Sequence, residues 1–452
     1  MTQPASKRLV TEAAASSTYA LVAEPIGAAA QTTANAAATQ APAPSGGDDT
    51  AALAALLTAG SVRLRPNSTY LATALTVSAG KVLDLFGSTV KRFSGSANLI
   101  TLSANALVRD GTLDGNTLNG SMVRISAVAD ATAVNIRAIN GGVAYAFDAT
   151  GSTRPTFTNC SSVSFTAGVI LNTGTVDALV TGGSHLSSTS TSTSVGSLYV
   201  PNALRSRFVG VLAQSAAGHG IYVGASASDT TFEGCTSRLN GTAGGDWRGA
   251  TVFGATRTTF ARCLFESNIE AGVYSDTTAT NLRVMHCTTR GNNVGLRPGG
   301  HGIEMLSGGL IIGCHTDGQL GNAANAGCGI YVGGNGGVVS GCRSTSNYSV
   351  GIRLVNSVNA QVVGCVAVNN SQRGANLHDG IELNGISVGL CHEVTVSDCQ
   401  CWDTQGTKTQ RYGIAVNANV DYYNLTGNIT RGNATGGISD GGGANKSVAN
   451  NL

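Results

Sequence analysis

Charge is scarce in this chain: Asp, Glu, Lys and Arg make up 12% of its 452 residues. The 27 basic and 25 acidic residues nearly cancel, leaving a net charge of +2. That balance gives no basis for binding nucleic acid or an anionic membrane surface. Long apolar runs are missing as well, and none reaches the ~18 residues that a membrane-spanning helix needs. Lys7 and Arg8 lead into no apolar stretch, so no Sec-type leader is expected and a conventionally secreted enzyme is disfavoured. Aromatic residues contribute only 5%.

Small residues are abundant instead. There are 61 Gly, and Ala, Ser, Thr, Asn and Val fill much of the rest. So much glycine can signal disorder, but 42% of the chain is hydrophobic and recurs in short runs, so a core can be buried.

Three segments are expected. Residues 1–45 form an Ala-rich segment and linker, read either as one or two short self-associating helices from Pro25 or as a flexible tail, and ending in Ala41-Pro42-Ala43-Pro44-Ser45. Residues 46–95 hold a helix and opening strands: Asp48-Asp49-Thr50 stands where an N-cap would, before the apolar run Ala51–Leu57, and Gly60 ends it. Residues 96–452 are a repeat.

One repeat unit reads Gly-apolar-x-apolar, as in Gly220-Ile221-Tyr222-Val223, Gly302-Ile303-Glu304-Met305, Gly329-Ile330-Tyr331-Val332, Gly351-Ile352-Arg353-Leu354 and Gly380-Ile381-Glu382-Leu383, with Gly413-Ile414-Ala415-Val416 and a degenerate copy at Gly272-Val273-Tyr274-Ser275. A second unit places Cys three residues after an apolar residue, at Cys160, Cys235, Cys263, Cys287, Cys314, Cys342, Cys365 and Cys399. Asn follows five residues later at Asn240, Asn268, Asn292, Asn347 and Asn370. From Cys235 to Cys365 the interval is 23 to 28 residues by subtraction. That period suits one turn of a solenoid made of short strands, and the Gly and β-branched content opposes a helical repeat. The expected fold is all-β: a parallel β-helix whose turns stack ~4.8 Å apart.

Gly47-Asp48-Asp49-Thr50-Ala51-Ala52-Leu53, then Val62-Arg63-Leu64 through Thr69-Tyr70, and Val108 through Asn116, resemble the opening of the pectate-lyase-like right-handed parallel β-helix superfamily, which includes phage tailspikes; Ser68 stands where that pattern has Gly. The resemblance implies that the helix caps the open end of the β-helix. It also implies a homotrimer, attached through its N-terminus to phage tail or baseplate proteins, that binds a bacterial surface glycan and in many cases cleaves it. The location implied is the virion, acting at the host's outer surface.

The repeated Cys are read as small buried thiols rather than disulfides. His286-Cys287 and Cys314-His315 pair two metal-ligand types, but a site needs three or four converging ligands. No metal or cofactor is expected. The Asn series is read as a stack of amides.

In Gly-apolar-x-apolar the x side chain should point outward. This predicts an exposed column of Tyr222, Tyr274, Glu304, Tyr331, Arg353, Glu382 and Ala415. Tyr faces stack on sugars and Arg binds acidic substituents, although Tyr is also an ordinary strand-surface residue. Trp247, Trp402 and His301 are further candidates for the same groove. Glycoside hydrolysis needs two carboxyl groups. Asp379 with Glu382 is one pair and Glu304 near His301 is another centre, with Asp246 and Glu270 in reserve; Glu304 and Glu382 should lie three turns apart. The Ser/Thr-rich stretch from Ser187 to Gly196 reads as an inserted loop that could border the groove. Three readings follow: a receptor-binding tailspike or tail fibre, with or without polysaccharide depolymerase activity; a free bacterial polysaccharide lyase, hydrolase or epimerase; and a non-catalytic adhesive β-helix.

Overall fold

The computed structural model describes residues 38–322, 326–387 and 391–452. Most of the Ala-rich segment therefore lies outside the described residues. A ten-residue helix, α1, spans Thr50–Ala59 and buries Leu53 and Leu57. The expected cap works differently in detail. Asp48 accepts the Thr50 N–H at 2.9 Å, while Asp49 turns back to accept the N–H groups of Ser45 and Leu71 at 2.8 and 3.1 Å. Asp49 thus ties helix to strand instead of closing the helix end.

From there the chain is a parallel solenoid. One turn reads Thr156–Thr158, Ser161–Val163 and Ala167–Leu171, and these define its first, second and third faces. The third face is a continuous sheet of 15 strands; the first two faces together make a sheet of 30. All pairings are parallel and in register, so like positions stack.

On the first face, Phe157, Val180, Phe208, Phe232, Phe260 and Val284 are successive partners. Phe208, Phe232 and Phe260 stack with ring centres 4.7 and 5.1 Å apart. Each buried Phe contributes about 1.5–3 kcal/mol.

From Thr156–Thr158 onward the corner between first and second faces has two residues, such as Gly234-Cys235 between Thr231–Glu233 and Thr236–Arg238. The residue before the Cys has positive φ: Gly234 59°, Arg262 54°, His286 52°, Gly341 60°. Such a bend throws its own side chain outward while the next one enters the core, which is why His286 and Cys287 part company. All 11 cysteines are free and buried. Their thiols reach back one turn, as from Cys263 to the Phe232 carbonyl at 3.4 Å and from Cys314 to the Val284 carbonyl at 3.3 Å.

The corner after the second face carries the amides. Asn240 donates through Nδ2 to Asn268 at 3.0 Å and Asn268 to Asn292 at 2.9 Å. Gln319, Gln410 and Asn433 extend this ladder: Asn292 donates to Gln319 at 3.2 Å, Asn370 to Gln410 at 3.2 Å and Gln410 to Asn433 at 2.8 Å.

Arg and Asp look scattered in the sequence, and the fold gathers them. Asp130, Arg154, Asp177, Arg205, Asp229 and Arg257 follow the bridged residues Ala129, Thr153, Val176, Leu204, Ser228 and Thr256, one per turn. They form an exposed ladder of alternating charge on the corner between third and first faces. Arg154 holds Asp130 through two bonds of 2.6 Å, and Arg205 and Arg257 grip Asp177 and Asp229 the same way.

Candidate functional site

Excursions of very different length leave the solenoid at one corner, between second and third faces. The chain passes from Gln214 to His219 directly but takes longer routes from Arg238 to Ala250, Arg290 to Ile303 and Val368 to Ile381. These loops wall one side of the third face. They touch each other across turns: Arg297 donates to the Gly244 carbonyl and lies 3.8 Å from Asp246. The Ser/Thr stretch is one of them, and its Thr193 carbonyl meets His219 Nε2 at 3.3 Å.

Along that wall the x residues line up. Tyr199, Tyr222, Thr251, Tyr274, Glu304, Tyr331, Arg353, Glu382 and Ala415 are consecutive partners. Tyr199 and Thr251 escaped the sequence pattern because Ser197 replaces its Gly and Ala250 its large apolar residue.

The column is recessed, not exposed as the alternation implied. Tyr222, Glu304 and Arg353 are 6%, 8% and 9% exposed, because the loops bank up beside them. Nor are the Tyr faces free on both sides. The Arg248 guanidinium lies 3.8 Å from the centre of the Tyr274 ring, and His301 stacks on Tyr331 at 4.7 Å with the rings nearly parallel. His301 is buried and accepts the Cys328 N–H at 3.2 Å; burial pushes its pKa down to about 3. Trp247 is also buried and meets His219 edge-on at 5.1 Å. Trp402 belongs to the second face, in Gln400–Trp402, away from this wall.

Two polar centres emerge. The lower one contains Asp379, Glu382 and Arg353. Asp379 is fully buried and clamped by Arg411 through bonds of 3.0 and 2.7 Å. Glu382 meets Arg353 at 3.3 Å and accepts from Asn384 at 2.7 Å. Both carboxylates are thus occupied by protein partners.

The upper centre is built from Trp247, Arg248, Glu270, Tyr274 and Glu304. Arg248 binds Glu270 at 2.8 Å. Even so, burial outweighs Arg248 and raises the Glu270 pKa. Burial lifts the Glu304 carboxyl further, to about 8, against the pull of Arg248 and with a push from Glu270. Glu304 is therefore protonated at neutral pH. Trp247 Nε1, Arg248 Nε, Glu270 Oε2 and Glu304 Oε2 are buried without hydrogen-bond partners among the described residues. Orphaned buried polar atoms are costly, and three of these residues, Arg248, Glu270 and Glu304, act on one another directly, which makes this centre the candidate site. Arg248 was missed in the sequence and Glu270 was only a reserve candidate. Their signal was positional: Arg248, like His219, His301 and Asp379, stands three residues before a column member. Among the described residues no three His, Cys, Asp or Glu are grouped to hold a metal ion.

Residues 139–323 match the family model for right handed beta helix regions. The match agrees with the parallel three-faced turns described above: the chain is a right-handed parallel β-helix. Similar solved structures include the A-module of mannuronan C-5 epimerase AlgE4 from Azotobacter vinelandii, at 15% identity and TM-score 0.42, covering 91% of this chain and 97% of that one. The Dettilon tailspike protein is 14% identical with TM-score 0.38, over 88% of this chain and 66% of its own. The catalytic domain of a GH87 alpha-1,3-glucanase is 12% identical with TM-score 0.45, over 80% and 68%. No curated protein matches the chain in sequence.

Proposed function

We propose that this chain is the glycan-binding β-helix of a phage tailspike, and that the cleft around Glu304 holds and hydrolyses a bacterial surface polysaccharide. The observation that carries this reading is the cluster of unpartnered buried polar atoms on Trp247, Arg248, Glu270 and Glu304 beside a recessed aromatic column. Glu304, protonated at neutral pH, gives its proton to the leaving glycosidic oxygen. Glu270, held by Arg248, takes a proton from the water whose hydroxyl joins the anomeric carbon. One water is consumed and one glycosidic bond is cut. Tyr222, Tyr274 and Tyr331 line the sugar path, each through an edge or its one open face. Asp379, Glu382 and Arg353 shape the lower wall.

In this reading α1 closes the first turn of the solenoid, three copies pack side by side, and residues 1–45 attach to the phage tail. The resemblance of Gly47–Tyr70 to the opening of the pectate-lyase-like β-helix superfamily, which includes phage tailspikes, supports these assignments. The test is to incubate the protein with host surface polysaccharide, follow reducing ends and polymer mass, and size the protein by light scattering. Release of oligosaccharides by a trimer is expected. Glu304→Gln should slow release by about 10²–10⁴-fold while binding persists. A trimer that binds without cutting leaves a non-catalytic adhesive spike, and a monomer removes the tailspike assignment.

A further inference from the structure

Resting on that reading, we infer that the Glu304 cleft takes an uncharged stretch of glycan, recognised through its hydroxyl groups, and rejects uronic-acid polymers. Two independent observations carry this: the inventory of charge and the inventory of unmade hydrogen bonds.

Three guanidinium groups stand along the column or on the loops that wall it, and each already has a carboxylate. Arg248 is bound to Glu270 at 2.8 Å, Arg353 to Glu382 at 3.3 Å, and Arg297 faces Asp246 at 3.8 Å. Two more carboxyl groups, Glu304 and Asp276, have no cationic partner. Asp276 instead accepts the N–H groups of Gly254 and Ala279 at 3.0 and 2.9 Å and the Thr278 hydroxyl. The buried imidazoles of His219 and His301 add no positive charge near neutrality, since burial holds both pKa values near about 3. Arg373 sits exposed on a loop of the turn that carries Glu382, three turns from Glu304. With Glu304 protonated and neutral, four carboxylates (Glu270, Glu382, Asp246 and Asp276) stand against three guanidiniums. A sugar carboxylate placed there would meet like charge with no cation to neutralise it.

The orphaned atoms point the same way. Trp247 Nε1, Arg248 Nε and Arg297 Nε are donors in want of an acceptor; Glu270 Oε2 is an acceptor in want of a donor. Glu304 Oε2 serves as either, according to its proton. A sugar hydroxyl both donates and accepts, so a few hydroxyls can satisfy the whole set. A carboxylate only accepts, so one seated against Glu270 Oε2 would displace the hydroxyl that could donate to it.

The test is an array of bacterial capsule and O-antigen polysaccharides, printed once native and once after chemical reduction of every carboxyl to a primary alcohol. Labelled full-length protein is expected to bind neutral polymers, and reduction of acidic ones should raise their signal by about tenfold or more. Native acidic polymers that bind as well as their reduced forms, or better, would overturn the inference while leaving the glycan reading intact. Binding to no polymer of either printing would remove the glycan reading and this inference with it.

Discussion

Glu304 is the residue whose titration the fold perturbs most usefully. Its folded pKa of about 8 stands above the ordinary glutamate value, so between about 4.5 and about 8 the folded chain keeps a proton that the unfolded chain releases. Stability contributed in this way is present at low pH and is lost as pH rises through that window. Thermal melts of Glu304→Gln should therefore gain on wild type at about pH 8.5 and show little gain at about pH 5. The acid side belongs to other residues. His185, His219 and His301 are held neutral by burial, each near about 3, so stability should fall as pH drops from about 6.5 toward 3 in wild type and variant alike. A variant as pH-sensitive as wild type between pH 5 and 8.5 would sink the first expectation. Cysteine offers a second residue-scale test. The Cys287 thiol sits in the core against the Phe260 carbonyl at 3.5 Å. Cys287→Ser should cost about 1–3 kcal/mol in urea titrations, because a hydroxyl is harder to desolvate than a thiol. Glu304 itself was legible in the sequence, because it occupies an x position of the repeat. Arg248 was not, and Glu270 stood only in reserve, because they come from loops whose register only the stacking fixes.

At the scale of the element, the ladders divide into strong and weak. In the amide ladder every rung from Asn240 to Gln410 is buried, and Asn292 serves two donors of Asn268: its backbone N–H at 3.1 Å and its Nδ2 at 2.9 Å. Asn292→Ala leaves both without an acceptor and should cost at least about 2 kcal/mol by chemical denaturation. The Asp–Arg ladder looks more impressive but is solvated: the Arg205 and Asp177 side chains are 57% and 39% exposed. Asp177→Lys should cost under about 1 kcal/mol, and 1 M salt should erase most of the difference. A large, salt-insensitive loss would mean that the ladder acts as one network. Sequence reading found the amide ladder through five Asn but lost it at Gln319 and Gln410, where a longer side chain performs the same bonding. It did not find the charge ladder, because alternation of Asp with Arg every turn is invisible until the corner residues are aligned.

For the whole molecule, the period of the repeat was the most legible property, since parallel stacking ties each turn's length to its neighbours. Depth was the least legible. Alternation within a strand says which side chains leave the core, but not whether loops from the next corner will bury them again, as happened to Tyr222, Glu304 and Arg353. The corners also set what the molecule tolerates. A Gly-Ser pair inserted after Ala243, in a loop, should cost about 0.6 kcal/mol or less. The same pair inserted after Gly234 displaces Cys235 from its stack, and is expected to lower the melting temperature sharply or abolish soluble expression. Equal effects of the two insertions would contradict the division of labour between corners.

That division has an evolutionary reading. One corner is held at two residues from Thr156–Thr158 onward, while its neighbour varies freely in length and carries Arg248 and Glu270 of the upper polar centre. A lineage built on this frame can trade whole loops, and with them the wall beside the third face, at little cost to folding. Loop exchange between relatives should then move ligand preference as a portable cassette, leaving the scaffold beneath unchanged.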